Sequence, residues 1–210
     1  MIHFPGMNDV VLAELAGFEQ VGSTKWVSEA SGPLRKIFRF QALKGGGYSA
    51  IWSISLDFVP CGWKKRLQWK RTKKSAEADL NIGPVPELGA SWEPFSFTRI
   101  VGWKEPTIGE IIQVTARASR AARIDLARVN TVQDVVAIFR ERAQMKLSFW
   151  FALQHHVQSE LAWGLALIAV GDPLHGEQHL DIFCKRFKTS RDDPVLRKAE
   201  AEATRLSQRP

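Results

Sequence analysis

Only two cysteines occur in the 210 residues, Cys61 and Cys184, and neither has a neighbouring cysteine or a CxxC partner. Their scarcity excludes a disulfide-stapled miniprotein, and their spacing points to neither a zinc ribbon nor a redox pair. Long apolar runs are also lacking. The longest near-apolar stretch, 161–170, contains Gly164 and has about half of the roughly 20 residues that a membrane-spanning helix needs. The first residues have neither a basic region nor an apolar region of the secretory type. A cytoplasmic protein with reduced thiols and no membrane partner is therefore the expectation.

Catalytic signatures are missing as well. There is no G-x-S-x-G elbow and no H-E-x-x-H pair, and every histidine except His3 falls in the final third, so no catalytic triad can be assembled. Lys44 precedes Gly45, Gly46 and Gly47, but a phosphate loop requires a helix after its glycines and both flanks here read as strands. A hairpin turn is the better reading. Asp57 and Glu14 read as isolated carboxylates, so no acid pair follows from them.

What the chain does have is a core-forming composition, 45% hydrophobic and 10% aromatic, which excludes a disordered or collagen-like chain. Five of its tryptophans, Trp26, Trp52, Trp103, Trp150 and Trp163, read as core packing.

The net charge of +7 is concentrated in one place. Residues 64–74 contain Lys64, Lys65, Arg66, Lys70, Arg71, Lys73 and Lys74 and no acid, which leaves 22 basic against 22 acidic residues elsewhere. Trp63 and Trp69 are interleaved with these charges. A cationic strip with flat aromatic faces suits single-stranded RNA or DNA, through phosphate contact and base stacking. It equally suits an acidic protein surface. A solvated hairpin whose lysines protect a strand edge is the third reading of the same residues.

Along the chain, Asn8 or Asp9 is placed to cap a first helix with Val11, Leu12 and Leu15 inward and Gly17 as its stop. Strands are expected at 24–28, 34–43 and 48–58, followed by weaker ones near 67–72 and 95–101. In 48–58, Tyr48, Ala50, Trp52, Ile54, Leu56 and Phe58 alternate with Ser49, Ser53, Ser55 and Asp57. This pattern predicts an antiparallel strand with one covered face and one polar face. Residues 83–86 read as an irregular connection.

From Thr107 the pattern becomes helical. Thr107 and Glu110 form a capping box, with Ile108, Ile111, Thr115, Ala118, Ala122 and Val129 as the inward stripe. Arg117, Arg120, Arg123 and Arg128 lie opposite and read as solvated. Thr131 and Asp134 cap the next helix, with Val132, Val135, Val136, Phe139 and Ala143 inward. An apolar segment at 147–170 follows. Gly171 and Pro173 interrupt it before a helix carrying Leu180, Phe183, Cys184 and Phe187, and Asp193 then opens a last helix with Val195, Leu196, Ala199, Ala203 and Leu206 inward.

The fold class is therefore α+β: one N-terminal helix and an antiparallel sheet of four to five strands, packed against a C-terminal bundle of four to five helices. Residues 1–104 form the sheet region and 105–210 the helical region, in one compact unit.

The metal-ligand side chains gather near the C-terminus, with His155, His156, His175 and His179 as candidates beside Glu160 and Glu177. His175 and His179 are four apart and can share a helix face, which permits a metal-dependent hydrolase, although solvated or hydrogen-bonded histidines suit the same pattern.

A helix ending at Gly17 and Phe18, then 22–26 (GSTKW), a strand ending at Phe40 and Gln41, and the alternating strand 48–58 together resemble a family of small bacterial proteins. That family is described only as a domain of unknown function. The resemblance covers about the first 105 residues and extends loosely to 166–172. It implies the fold and no catalytic residue.

The functional expectation is a non-catalytic binding domain without a cofactor. It engages an acidic partner, a protein or a nucleic acid, through Trp63, Lys64, Lys65, Arg66, Trp69, Lys70, Arg71, Lys73 and Lys74.

Overall fold

A computed structural model describes residues 6–43, 47–63, 66–69, 72–84, 93–98, 106–144 and 159–208, the side chains at 63, 93 and 98 excepted. Trp103, Trp150, His155 and His156 lie outside these residues, as do Lys64, Lys65, Lys70 and Arg71.

Helix α1 (Met7–Glu14) starts from Gly6, whose φ of 78° turns the chain into the first turn without a side-chain cap. Asn8 is therefore inside the helix and not its cap. Its Oδ1 accepts a 2.9 Å hydrogen bond from Trp26 Nε1 and so ties the helix to the sheet. Met7, Val11 and Leu15 are buried, whereas Leu12 is partly exposed. Gly17, at φ 80°, supplies the expected left-handed stop.

Among the described residues eight strands follow: β1 (Phe18–Gly22), β2 (Lys25–Ser28), β3 (Leu34–Ala42), β4 (Gly47–Leu56), β5 (Cys61–Trp63), β6 (Arg66–Gln68), β7 (Leu80–Gly83) and β8 (Ser96–Thr98). Six of them make one antiparallel sheet in the order β1-β2-β3-β4-β7, with β8 also on β4. The β3–β4 hairpin is the longest ladder, running from Leu34 opposite Leu56 to Ala42 opposite Tyr48. Strand β7 has no counterpart among the expected strands and ends at Gly83, where the expected irregular connection 83–86 begins. Its Asn81 and Leu80 nevertheless pair with Ser53 and Ile54.

The second face of β4 is not the open polar surface that its serines predict. Ser49, Ser53 and Ser55 are all fully buried. Ser49 Oγ accepts from Ser96 Oγ at 3.0 Å. Val27, Ile37 and Ala76 form a small apolar cluster apart from the main core. The returning chain at 75–79 holds it in place: Lys25 Nζ donates to the Ala76 carbonyl at 2.5 Å, and Asp79 Oδ2 accepts from the Leu56 amide at 2.7 Å. Small hydroxyl side chains allow this close cover, so alternation of serine with large apolar residues marks a tightly covered face here.

The helical half contains α2 (Ile108–Ala127), α3 (Val132–Gln144), α4 (Ser159–Ala169), α5 (Pro173–Phe187) and α6 (Pro194–Ser207) among the described residues. Together with α1 and the antiparallel sheet they make an α+β fold. The Thr107 capping box forms as expected, with Thr107 N donating to Glu110 Oε2 at 2.6 Å and Glu110 N to Thr107 Oγ1 at 3.2 Å. Ile108, however, is 58% exposed, and Ser119 and Leu126 join the buried stripe. On α3, Arg142 is buried and Ala143 is exposed, the reverse of the expectation for 143.

Helix α4 is buried on every side, as befits a helix that is apolar all round. It crosses α5 closely at two glycines: a Cβ on Gly164 would sit 2.8 Å from the Gly176 carbonyl oxygen, and one on Gly176 would sit 2.6 Å from Ile168. One core then runs from Trp26, Phe38 and Trp52 on the sheet through Phe139 and Trp163 to Leu196 and Ala199 on the last helix. No helix among the described residues is long and apolar enough to cross a membrane.

Candidate functional site

The basic strip begins in a structure of its own. Among the described residues strands β5 and β6 pair with each other alone, in a two-stranded sheet whose register sets Cys61 opposite Gln68 and Trp63 opposite Arg66. Arg66 is exposed. Leu67 and Trp69 are partly buried and pack against the main core, which anchors the base of this hairpin.

Trp69 also meets the C-terminal helix. Lys198 Nζ lies 4.6 Å from its ring centroid, a cation–π distance. One face of the indole is thus occupied by the protein itself. The lysine adds a further positive charge to the neighbourhood of the strip.

Thr72 and Ser75 close a tight turn at the other end. The Thr72 amide donates to Ser75 Oγ at 2.8 Å, and the Ser75 amide donates to Thr72 Oγ1 at 3.3 Å. Their short hydroxyl side chains satisfy backbone groups that no ladder satisfies. Lys73 sits in this turn and pairs with Glu19 Oε2 at 2.5 Å and with Glu29. These two carboxylates hold the Lys73 ammonium above the usual lysine range. Lys74 is exposed, and its carbonyl accepts from Lys25 Nζ at 3.3 Å. Nearby on β3, burial pulls the Arg39 guanidinium below its ordinary range, against the field of Glu77.

The strip therefore divides by role. Trp69 and Lys73 are turned toward the protein, whereas Arg66 and Lys74 face solvent. Lys64, Lys65, Lys70, Arg71 and the Trp63 side chain lie outside the described residues. Sequence pattern alone missed Lys198, because its 124-residue separation from the end of the strip leaves no local signal.

The arginines of α2 do not add to this surface. Arg120 Nη2 and Arg123 Nε pair with Glu14 at 3.1 and 3.5 Å, and Arg117 donates to the Pro94 carbonyl. Glu14 is thus a docking point between α1 and α2. Asp57 likewise pairs with Arg35, at 3.0 Å.

The described histidines are separately paired. His175 Nδ1 is 2.8 Å from Asp172 Oδ1 at the start of α5, and His179 Nδ1 is 2.6 Å from Glu160 Oε2 on α4. The His179 ring stacks on Trp163 at 4.1 Å, which itself stacks on Phe139 at 5.4 Å. A carboxylate on Nδ1 fixes the orientation of an imidazole, and in His179 it does so within the helical layer. Among the described residues no three side chains of metal-ligand type come together. Cys61 and Cys184 are not joined in a disulfide, and burial raises the Cys184 thiol above its ordinary range.

Comparison with protein-family models, curated proteins and solved structures finds no match. The resemblance over the first 105 residues accordingly assigns the chain to no family.

Proposed function

We propose that this protein is a non-catalytic binding domain that engages an acidic protein partner through its basic, tryptophan-containing segment 63–74. The observation that carries this reading is the location of the charge: the segment holds seven basic side chains and no acid, and the rest of the chain is balanced. Such a strip steers a negatively charged partner toward it and disfavours positively charged ones.

The anchoring of the strip supports the same reading. Trp69 packs against the core just after the hairpin and Lys73 is held by Glu19 and Glu29, so the exposed Arg66 and Lys74 are presented from anchored backbone. This lowers the ordering cost of association.

The alternative of a single-stranded nucleic-acid binder draws on the same charges and adds base stacking. Trp69 is a poor platform for stacking, since it is partly buried and Lys198 covers one ring face. Of the four histidines that a metal-dependent hydrolase would draw on, the two described ones, His175 and His179, have Nδ1 atoms each paired with a different carboxylate.

Parallel anisotropy titrations with labelled polyglutamate and labelled oligouridylate separate the first two readings. The proposal expects polyglutamate to bind, and oligouridylate to bind no more tightly and without quenching tryptophan fluorescence. Tighter RNA binding with strong quenching would instead support the nucleic-acid reading.

A further inference from the structure

Lys36 stands where the pattern of its strand calls for an apolar residue. Side chains two apart on a strand share a face, and Leu34, Phe38 and Phe40, which share that face of β3, are all buried in the main core. The residue opposite Lys36 on β4 is the fully buried Ile54. Lys36 itself is half-buried. Taking an ammonium out of water is costly unless its charge is met.

No acid meets it. Among the described residues Lys36 forms no ion pair, and its Nζ donates one hydrogen bond, at 3.1 Å, to the neutral Oδ1 of Asn130. An ammonium has three donors, so two lie outside that bond. Burial pulls the Lys36 ammonium below the usual lysine range, against the field of Asp134. Asp134 is engaged elsewhere, since its Oδ2 accepts from the Asn130 and Thr131 amides.

Lys36 lines a pocket of about 470 Å³ between the end of α1, the β2–β3 turn and the end of α2, a volume within the range of small-molecule sites, about 300–1,000 Å³. Leu15, Phe18, Leu34, Leu126 and Val129 supply apolar wall, and Phe18 is the one aromatic residue of the lining. Two carboxylates line the pocket as well, and both are already paired: Glu14 with Arg120 and Arg123, and Glu29 with Lys73. Among the described residues Lys36 is thus the one lining charge without an opposite partner. A single cation in an apolar pocket is complementary to one negative charge on an apolar body. A phosphate monoester, with a charge of about −1.5 to −2, would need further cations.

The geometry points to a binding site for a small aliphatic monocarboxylate, whose carboxylate accepts from Lys36 Nζ and whose chain packs on Leu15, Phe18, Leu34 and Leu126. A charge-assisted bond of this kind returns to the ammonium what burial takes from it. No lining residue belongs to segment 63–74, so this site and the acidic-partner reading are tested apart.

Isothermal titration of the full chain with sodium octanoate tests the site, with 1-octanol as the analogue that keeps the chain and lacks the charge. The expected result is saturable binding of octanoate, with octanol at least about tenfold weaker because a hydrogen bond between charged groups is lost. Lys36→Met keeps an unbranched side chain and removes the ammonium. It should weaken octanoate at least about tenfold and melt no lower than native, since no buried charge remains to be met. Arg66→Ser and Lys74→Ser remove exposed cations of the basic strip and should leave octanoate affinity unchanged, which separates the pocket from simple attraction to the strip. Absence of saturation in the millimolar range would overturn the proposal. So would octanol binding as tightly as octanoate, a folded Lys36→Met protein that binds octanoate unchanged, or loss of octanoate binding in the strip variants. Should Lys36→Met fail to fold, the comparison of octanoate with octanol on the native chain decides.

Discussion

Lys198 and Trp69 lie 4.6 Å apart, ammonium to ring centroid, and join the final helix to the base of the basic hairpin. The two residues are far apart in the chain and share no regular element. Their contact fixes where the strip begins relative to the rest of the protein. Replacing Trp69 with Ala removes a partly buried ring and should cost about 2–3 kcal/mol, somewhat below the range for fully buried aromatics. Lys198→Ala should cost about 0.5–1 kcal/mol, the size of an exposed cation–π contact. Urea denaturation of both variants checks the order of the two effects.

Lys73 gives a second, opposite expectation. Its charge is already met by Glu19 and Glu29, so Lys73→Ser should leave polyglutamate affinity within about twofold of native. Arg66 is exposed and has no such partner among the described residues, and Arg66→Ser should weaken the same binding by about 0.5–1 kcal/mol, the scale of a solvent-exposed ion pair. Equal losses in the two variants would mean that Lys73 leaves its carboxylates on binding.

Gly83 is required by the indole beside it. A Cβ at this position would lie 2.7 Å from Trp52 Nε1, the atom that donates to Asp125. Gly83→Ala should therefore destabilise the protein by about 1–3 kcal/mol, as overpacking does. Tryptophan fluorescence should shift as Trp52 is displaced, and both readouts come from a single denaturation series.

Asp134 ties the start of α3 to stability against acid. Its Oδ2 accepts from the Asn130 and Thr131 amides, both at 2.9 Å. These bonds hold the carboxyl below the usual carboxylate range. A depressed folded-state pKa contributes stability above the unfolded value, about 3.9 for aspartate, and loses it as pH falls through the folded value. Asp134→Asn should thus be less stable than native at neutral pH, and the gap should close on acidification below about pH 4. Urea midpoints at neutral and acidic pH measure the gap directly.

How much of this was legible in the sequence depended on how local the signal was. The Thr107 cap, the Gly17 stop and the β3–β4 pair were readable because each rests on residues a few positions apart. The burial of Ser49, Ser53 and Ser55 was not, because the chain at 75–79 that packs across that face lies some twenty residues or more away in sequence. Asn8 also misled: its side chain was read as a cap for α1 and instead accepts from Trp26. Composition located the basic strip without ambiguity. It carried no sign that Trp69 and Lys73 face inward, since their partners Lys198, Glu19 and Glu29 come from distant segments.

The most direct test of the central claim is an anisotropy titration of labelled polyglutamate against the native chain and against a variant with Lys64, Lys65, Lys70 and Arg71 changed to Ser, at low and at physiological salt. The account predicts binding to the native chain that weakens as salt screens the strip, and little or no binding to the variant at either salt. Binding that survives the four substitutions, or a native chain that fails to bind even at low salt, would contradict it.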